Sequence, residues 1–339
     1  MSYQSTAFIA GLVMASLVAA SAAAQEQTEP TNQEEVVEDK ALVGAGARAY
    51  DPERAFFGPL PRYVTQDGNL SLGAGLLLDF DAGHYGTSDT RDGTAIDNLE
   101  GGVRDRRVVL LANALLYKDF IVFGSWNFTD REDRFSDGLR SLVLIYRGFD
   151  PWWIRVGQHN LASPLDTTRG RRAFMEEAMS SGAFAYAPGT PSLGASVSHR
   201  GAHHNVRLGV WSVPVNEFGG DRESYGVHGR VSYAPIVERT KALHFGLAGY
   251  WRKPTILAGE TSGGERFGAR PELRIDEEGI VVDTGRIGYI DSYHYTAFEL
   301  AGVYGRWSFQ GELQRLGIDR DTGPGGAAYP DLSFNGYYR

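Results

Sequence analysis

The chain has 339 residues, 42% of them apolar and 22% charged, which is long enough for one large β domain or two ordinary domains. Its net charge of −9 argues against a general nucleic-acid-binding surface, and the absence of cysteine excludes disulfide frameworks, thiolate metal sites and cysteine nucleophiles. The 43 glycines and the 12% of aromatic residues are typical of strand-rich proteins.

The N-terminus has the pattern of an export signal. Phe8–Ala24, "FIAGLVMASLVAASAAA", is a short apolar run that ends in small residues and precedes the polar "QEQTEP". This pattern predicts a signal peptide over residues 1–24, with cleavage before Gln25. A transmembrane anchor is the weaker interpretation because the run falls short of about 20 residues. Residues 25–66, which contain the acidic "QEEVVEDK", are predicted to be a disordered leader.

Beyond residue 66 the dominant pattern is alternation of apolar and polar side chains. In "RWSFQGELQRLG", residues 306–317, Trp307 and Phe309 share one face of a strand, and Glu312 lies on the other. Similar segments lie at 69–81, 119–128, 152–157, 206–210, 225–233 and 243–252, with further strands expected at 103–118, 137–147, 191–200, 293–304 and 333–339. Strands of about ten residues with one apolar face are typical of membrane barrels, whereas strands of soluble sheets average about five or six.

The sequence therefore predicts an all-β fold, a transmembrane antiparallel β-barrel over residues 67–339. Trp307 would face lipid and Glu312 a water-filled interior. The predicted connections alternate between short turns, such as 147–152 and 304–307, and long loops, such as 160–190, as in outer-membrane barrels. This alternation is kept if 253–292 is one long outer loop.

Arginine is the dominant cation, with 29 Arg against 4 Lys. Arg binds phosphate or carboxylate through two parallel hydrogen bonds, although a GC-rich genome explains the bias equally well. The candidate pore-lining and anion-binding residues are Arg155, Arg169, Arg171, Arg172, Arg207, Arg230 and Arg252. Three of these lie in the loop 160–190, which would form an anion-selective constriction if it folded inward. The alternative is a solvated outer loop with surface Arg–Glu pairs.

The run "RVGQHNLASPLDTTRGRRAFMEEA" resembles the porin O/P family of phosphate-selective outer-membrane porins. Further similar runs are "GRVSYAPI", "ELAGVYGRWSFQGE" and "SFNGYY", in the family's order. The resemblance implies a barrel of 16 strands, of which about 12 are present here, so the barrel would be incomplete at its C-terminus. It also implies a homotrimer, a narrowing third outer loop and an arginine ladder that leads phosphate to a central lysine site.

Two positions depart from that pattern. Arg155 matches the family's basic position before "VGQ". The first departure is Gly170, flanked by Arg169 and Arg171, which stands where the family carries its loop Arg. Glu177, however, stands where many members carry Arg. With only Lys118, Lys241 and Lys253 in the barrel region, no group of lysines in the sequence identifies the place of the central lysine site.

The hypothesis is therefore an outer-membrane porin of a Gram-negative bacterium, through which small anions such as phosphate or polyphosphate diffuse. Outer-membrane lipid would surround it, and no nucleic acid, cofactor, metal or catalytic residue is expected. "HRGAHH" at 199–204 is interpreted as a periplasmic turn rather than as a metal site. The alternatives are a diffusion channel without phosphate selectivity, a secreted β-sandwich binding module and an enzyme built on a barrel.

Overall fold

A computed structural model describes residues 62–84, 101–129, 138–160, 192–215, 224–254, 264–269, 275, 282–323 and 326–338. The predicted signal peptide and the predicted constriction loop with Arg169, Arg171 and Arg172 lie outside these residues. Residues 62–66 of the predicted leader lie inside them, and 62–64 form a short strand. Among the described residues, none forms a helix of the length and apolar character needed to cross a bilayer.

Fifteen strands make up the described structure. They are β1 (Arg62–Val64), β2 (Leu70–Gly83), β3 (Gly102–Leu116), β4 (Phe120–Asn127), β5 (Leu139–Phe149), β6 (Trp152–His159), β7 (Ser192–Arg200), β8 (His204–Ser212), β9 (Tyr225–Val237), β10 (Lys241–Lys253), β11 (Gly264–Ala269), β12 (Val282–Gly288), β13 (Ile290–Tyr304), β14 (Trp307–Arg320) and β15 (Leu332–Tyr338). Each strand predicted from alternation corresponds to one of these, which confirms the all-β prediction.

Thirteen of the strands form one antiparallel sheet in chain order, and β11 and β12 form a separate hairpin. β10 pairs directly with β13, from Lys241 opposite Tyr304 to Arg252 opposite Tyr293. The segment between β10 and β13, which was predicted to be one long loop, therefore contributes no strand to the main sheet, as expected. It does, however, form the β11–β12 hairpin. This up-and-down order with antiparallel pairing agrees with the predicted barrel topology.

The two faces of the sheet differ in exposure. On β14, Trp307 is 75% exposed and Phe309 56%, whereas Glu312 is only 2% exposed. We call the face that carries Trp307 the outer face and the face that carries Glu312 the inner face. The outer face is largely apolar on most strands, and an exposed apolar surface of this extent marks contact with a membrane or a protein. The alternation predicted for β14 is confirmed.

The two ends of the sheet also differ. At one end, the short-turn edge, connections such as 117–119, 150–151 and 305–306 are tight. At the opposite end, the long-loop edge, the connections are longer, as predicted. Exposed aromatic side chains gather near the short-turn edge: Tyr117, Phe149, Trp152, Tyr233, Tyr304 and Trp307. Aromatic girdles of this kind stand at the water interfaces of membrane barrels.

The first turn of the sheet, between β1 and β2, is held by Asp67. The Thr65 hydroxyl donates a 2.6 Å hydrogen bond to Asp67 Oδ1, and the backbone amide of Asn69 donates one of 3.1 Å to the same atom. These bonds favour the ionised carboxylate and lower the pKa of Asp67.

The inner face is not uniformly polar, which corrects the simple prediction of apolar outside and polar inside. One apolar cluster on β3–β6 contains Leu115, Ile121, Val143, Ile145 and Trp153. A second cluster on β10 and β13–β14 includes Tyr250, Tyr293, Tyr295 and Leu316, together with Phe267 and Ile287 of the β11–β12 hairpin. The hairpin therefore packs on the inner face, where it covers apolar side chains that water would otherwise contact.

Gly157 in β6 has a backbone conformation that residues with a side chain rarely adopt. Its φ is +126°, and a Cβ there would lie 2.3 Å from the Leu142 carbonyl oxygen. We expect Gly157→Ala to destabilise the sheet by about 1–3 kcal/mol, because the backbone of β5 cannot move away. The measurement is the temperature at which the folded form is lost on heat-modifiability gels. Gly124→Ala is the control, since its Cβ would meet nothing closer than 3.8 Å; equal shifts for both variants would contradict the prediction.

Candidate functional site

The inner face of β6–β9 concentrates basic side chains. Cross-strand pairing places Ser198, Arg207 and Arg230 in one row, and Arg155, Ser196 and Gly209 in the next. We call Arg155, Arg200 and Arg207, with their serine and histidine neighbours, the basic wall. These residues share a face because successive side chains of a strand alternate, so every second residue of each strand points inward.

Trp153 organises two of the guanidinium groups of the basic wall. The Arg200 guanidinium lies 4.5 Å and the Arg155 guanidinium 5.9 Å from the centre of the Trp153 ring. Arg155 Nη1 also donates a 2.8 Å hydrogen bond to Ser198 Oγ. Stacking on an aromatic face holds a planar guanidinium in place without consuming its charge.

Arg207 is held by neutral oxygens. Its Nη2 donates to the Asn160 carbonyl at 2.8 Å, and its Nε lies 3.4 Å from Ser196 Oγ. Ser196 Oγ also lies 3.3 Å from His159 Nε2. Within the described residues Arg207 contacts no carboxylate, so its positive charge is available to a passing anion.

Arg230 contrasts with Arg207 because it is neutralised. Its Nε and Nη2 donate to the two Glu299 carboxylate oxygens at 2.8 and 2.7 Å. His244 Nε2 donates to Glu299 Oε2 at 3.0 Å, and Glu299 is completely buried. Glu312 lies directly opposite Glu299 on the neighbouring strand and accepts a 3.0 Å bond from the Gln314 amide. This part of the inner face is therefore acidic and ion-paired.

Arg252 joins the inner face to the β11–β12 hairpin. It donates to Ser224 Oγ at 2.6 Å and to the Tyr293 hydroxyl at 2.7 Å, and lies 3.7 Å from Glu265 Oε1 of β11. Its guanidinium also stacks on the Trp211 ring at 5.0 Å. The role of Arg252 that these contacts support is to position the hairpin.

Arg106 and Arg107, two of the three arginines of β3, are paired as well. Arg107 Nε donates to Asp79 Oδ2 at 2.8 Å, and Arg106 Nη1 lies 3.6 Å from Asp81 Oδ2. These contacts cross from β3 to β2 on the inner face. They balance charge near the long-loop edge, so the guanidinium groups of Arg106 and Arg107 are less available to an anion than those of the basic wall.

Residues 89–339 match the family described as phosphate-selective porin O and P. The chain belongs to this family. An uncharacterised protein of Caulobacter vibrioides is 28% identical to this porin-family chain over 199 residues, which is 56% of the chain and 38% of that relative. The aligned part thus spans less than half of the relative's length.

The predicted arginines of this porin-family chain fall into three groups. Arg155 and Arg207 are brought together in the basic wall, Arg230 and Arg252 are each beside a carboxylate, and Arg169, Arg171 and Arg172 lie outside the described residues. Arg200, Trp153 and Glu299 were missed by the sequence reasoning. Alternation could have placed Arg200 on the inner face, because it lies two residues after Ser198 on the same strand.

Among the residues that the structure describes, the lysines and the histidine turn add no second cationic centre to the inner face. Lys241 lies 3.6 Å from Glu238 and Lys253 3.1 Å from Asp291, each at an end of β10, and Lys118 lies in a short turn. His199 and His204 stack with ring centres 5.0 Å apart beside the short turn of β7 and β8. In the part of the chain that the structure describes, His, Asp and Glu side chains form no group suited to a metal ion.

The docking of the hairpin can be tested at Phe267, which is 4% exposed and packs edge-on against Tyr293 at 5.9 Å. We expect Phe267→Ala to weaken this docking by about 3–5 kcal/mol through lost burial and the cavity left behind. Limited proteolysis of folded protein should then cleave at the hairpin more than tenfold faster, because about 1.4 kcal/mol already changes the docking equilibrium tenfold. Phe309→Ala, on the exposed outer face, is the control and should leave the cleavage rate unchanged. Equal cleavage of wild type and Phe267→Ala would contradict the packing.

Proposed function

We propose that this chain forms the wall of an outer-membrane porin in a Gram-negative bacterium, and that small anions diffuse passively along its basic wall. The observation that carries the proposal is Arg207, a guanidinium on the inner face bonded to a serine hydroxyl and a backbone carbonyl. Because membrane barrels have short periplasmic turns, the short-turn edge would face the periplasm.

Family membership, the outward apolar face and the aromatic edge support the membrane part of this proposal. Phosphate and polyphosphate are the candidate solutes, since Arg155 and Arg207 offer the donor geometry that binds phosphate oxygens. Arg169, Arg171 and Arg172 would extend the same path from the outer loop. The working form would be the homotrimer expected for the family, with no cofactor and no catalytic step.

A channel without phosphate selectivity is the second candidate. It is favoured by the carboxylates beside Arg230 and Arg252, because a carboxylate competes with phosphate for the same guanidinium donors. The two candidates differ in how phosphate affects chloride current. A phosphate-binding path would be blocked by added phosphate, whereas an unselective path would not.

Planar-bilayer recording of the full chain tests the proposal. Under a potassium chloride gradient, the reversal potential is expected to have the sign of an anion-preferring pore. Millimolar phosphate on one side should then reduce the chloride current if phosphate is the preferred solute. A cation-preferring reversal potential would contradict the anion assignment, and an anion-preferring pore that phosphate leaves unblocked would favour the second candidate.

A further inference from the structure

Part of the outer face on β13–β15 is polar. Arg315 is exposed there, and its cross-strand neighbours are Thr296 on β13 and Asn335 on β15, both exposed. Within the described residues Arg315 makes no side-chain hydrogen bond and no ion pair. His294, two residues before Thr296, is half exposed, with its Nδ1 3.8 Å from Asp319 Oδ2. A guanidinium on a lipid-facing surface needs either water or an anion beside it.

The level of Arg315 along its strand places it near one membrane interface. Trp307 starts β14 at the short-turn edge, and Arg315 lies eight residues further on, about 27 Å along the strand at 3.4 Å per residue. With a strand tilt of about 40° this is about 20 Å along the membrane normal, against an apolar band about 25 Å tall. Arg315 therefore lies toward the long-loop edge, where lipid headgroups begin.

An apolar trough lies beside this polar group on the same outer face. Its lining includes Ala195, Gly229 and Gly249, which have little or no side chain, and the larger Leu208, Val227 and Trp251. Gly229, Gly249, Thr296 and Arg315 are successive partners in one cross-strand row. At about 4.8 Å per strand, the Arg315 backbone lies about 10 Å from Gly249.

We propose that the trough and Arg315 together bind a phosphorylated lipid of the outer leaflet. An acyl chain would occupy the trough, and a lipid phosphate would accept hydrogen bonds from Arg315 and from the Asn335 side-chain amide. Charge complementarity selects this occupant, because phosphate is the anionic group that a membrane presents at headgroup level and a guanidinium binds it in bidentate fashion. The proposal uses the membrane placement of the sheet and does not depend on which solute passes.

The experiment measures binding of fluorescent lipid A, and of the same lipid with its phosphates removed, to the full chain in detergent micelles. Removal of the phosphates is expected to weaken binding to wild type about tenfold, which is the change in affinity that loss of one charge-assisted hydrogen bond causes. Arg315→Gln should weaken binding of the phosphorylated lipid equally and leave binding of the dephosphorylated lipid unchanged. Arg306→Gln, in the short turn at the other end of the outer face, is the matched control and should have no effect.

The trough has its own pair of variants. Gly229→Leu should fill the trough and weaken binding of both lipids. The strand can accept this side chain, because its Cβ would lie 2.8 Å from the flexible end of Leu208 and 3.6 Å from the Arg207 carbonyl oxygen. Gly124→Leu, an outer-face glycine on β4 with ordinary surroundings, should leave both affinities unchanged. Heat-modifiability gels confirm that each variant is folded, and the wild-type comparison of the two lipids requires no variant.

Equal wild-type affinity for the two lipids would overturn the proposal, as would equal effects of Arg315→Gln and Arg306→Gln. A second copy of the chain is the competing occupant. Because the chain has no cysteine, Asn335→Cys introduces a single thiol at the patch. Efficient disulfide crosslinking between two copies in membranes would show that protein covers this face and would overturn the lipid assignment.

Discussion

Arg207→Glu is expected to lower the anion-to-cation permeability ratio about tenfold and to bring the pore close to cation preference. The physical reason is that Arg207 is bonded to neutral oxygens and contacts no carboxylate within the described residues, so its charge is not compensated. A glutamate there would also offset the charges of the neighbouring Arg155 and Arg200. A unit charge 4 Å from a passing anion contributes about 1 kcal/mol in a water-filled pore, and its reversal turns this attraction into a repulsion of similar size, which gives a change on the order of tenfold. The reversal potential under a salt gradient measures the change.

Two controls separate this local effect from net charge and from damage to the fold. Arg239→Glu makes the same charge change at an exposed position in a short turn and should leave the reversal potential near its wild-type value. Arg207→Lys keeps the charge and should keep most of the anion preference. The difference between Arg207→Glu and wild type should also shrink in 1 M salt, where the screening length falls to about 3 Å. A reversal potential for Arg207→Glu equal to that of wild type would contradict the role of Arg207.

The strands were predictable because a membrane imposes a simple constraint on them. Every outer-face residue of β14 near the short-turn edge must tolerate lipid, so the large apolar residues Trp307, Phe309 and Leu313 recur at intervals of two and four residues, and this even spacing is visible in the sequence. Pairing in chain order follows from short turns alternating with long connections. Neither inference needs a distance between residues that are far apart in sequence.

The hairpin and the inner apolar clusters were not predictable in the same way. Phe267 and Ile287 lie in short segments rich in glycine and charged residues, and their burial depends on Tyr293 and Tyr295, which occupy inner-face positions on β13. Alternation shows only that side chains of a strand share a face. It does not show whether water or another segment covers that face.

Which arginines of the inner face are neutralised also could not be predicted without the register of strand pairing. Alternation placed Arg207 and Arg230 on the same face, yet one is bonded to neutral oxygens and the other to a carboxylate. Glu299 is 69 residues from Arg230 in the chain and reaches it across the intervening strand β10. The sequence thus identified candidate cations, whereas their available charge follows only from the pairing of strands.

Glu299→Gln is expected to destabilise the folded sheet by about 3 kcal/mol, as removal of one partner from a buried ion pair generally does. Glu299 is completely buried and accepts charge-assisted bonds from Arg230 and His244. The variant also relieves repulsion from the facing Glu312, but cross-strand terms of this kind contribute only about 0.2–1 kcal/mol. Loss of the buried pair should therefore dominate, and denaturant titration of the folded form measures the result.

The matched control is Glu238→Gln, which removes a carboxylate from an exposed pair with Lys241 at 3.6 Å and should change stability by less than about 1 kcal/mol. Glu299→Gln should also raise the anion preference of the pore, because Arg230 loses its neutralising partner. Adding Arg230→Gln should return the selectivity toward wild type and recover part of the stability, since two neutral side chains replace an unpaired charge. A Glu299→Gln protein that keeps both wild-type stability and wild-type selectivity would show that the Arg230–Glu299 pair neither supports the sheet nor sets the charge of the inner face.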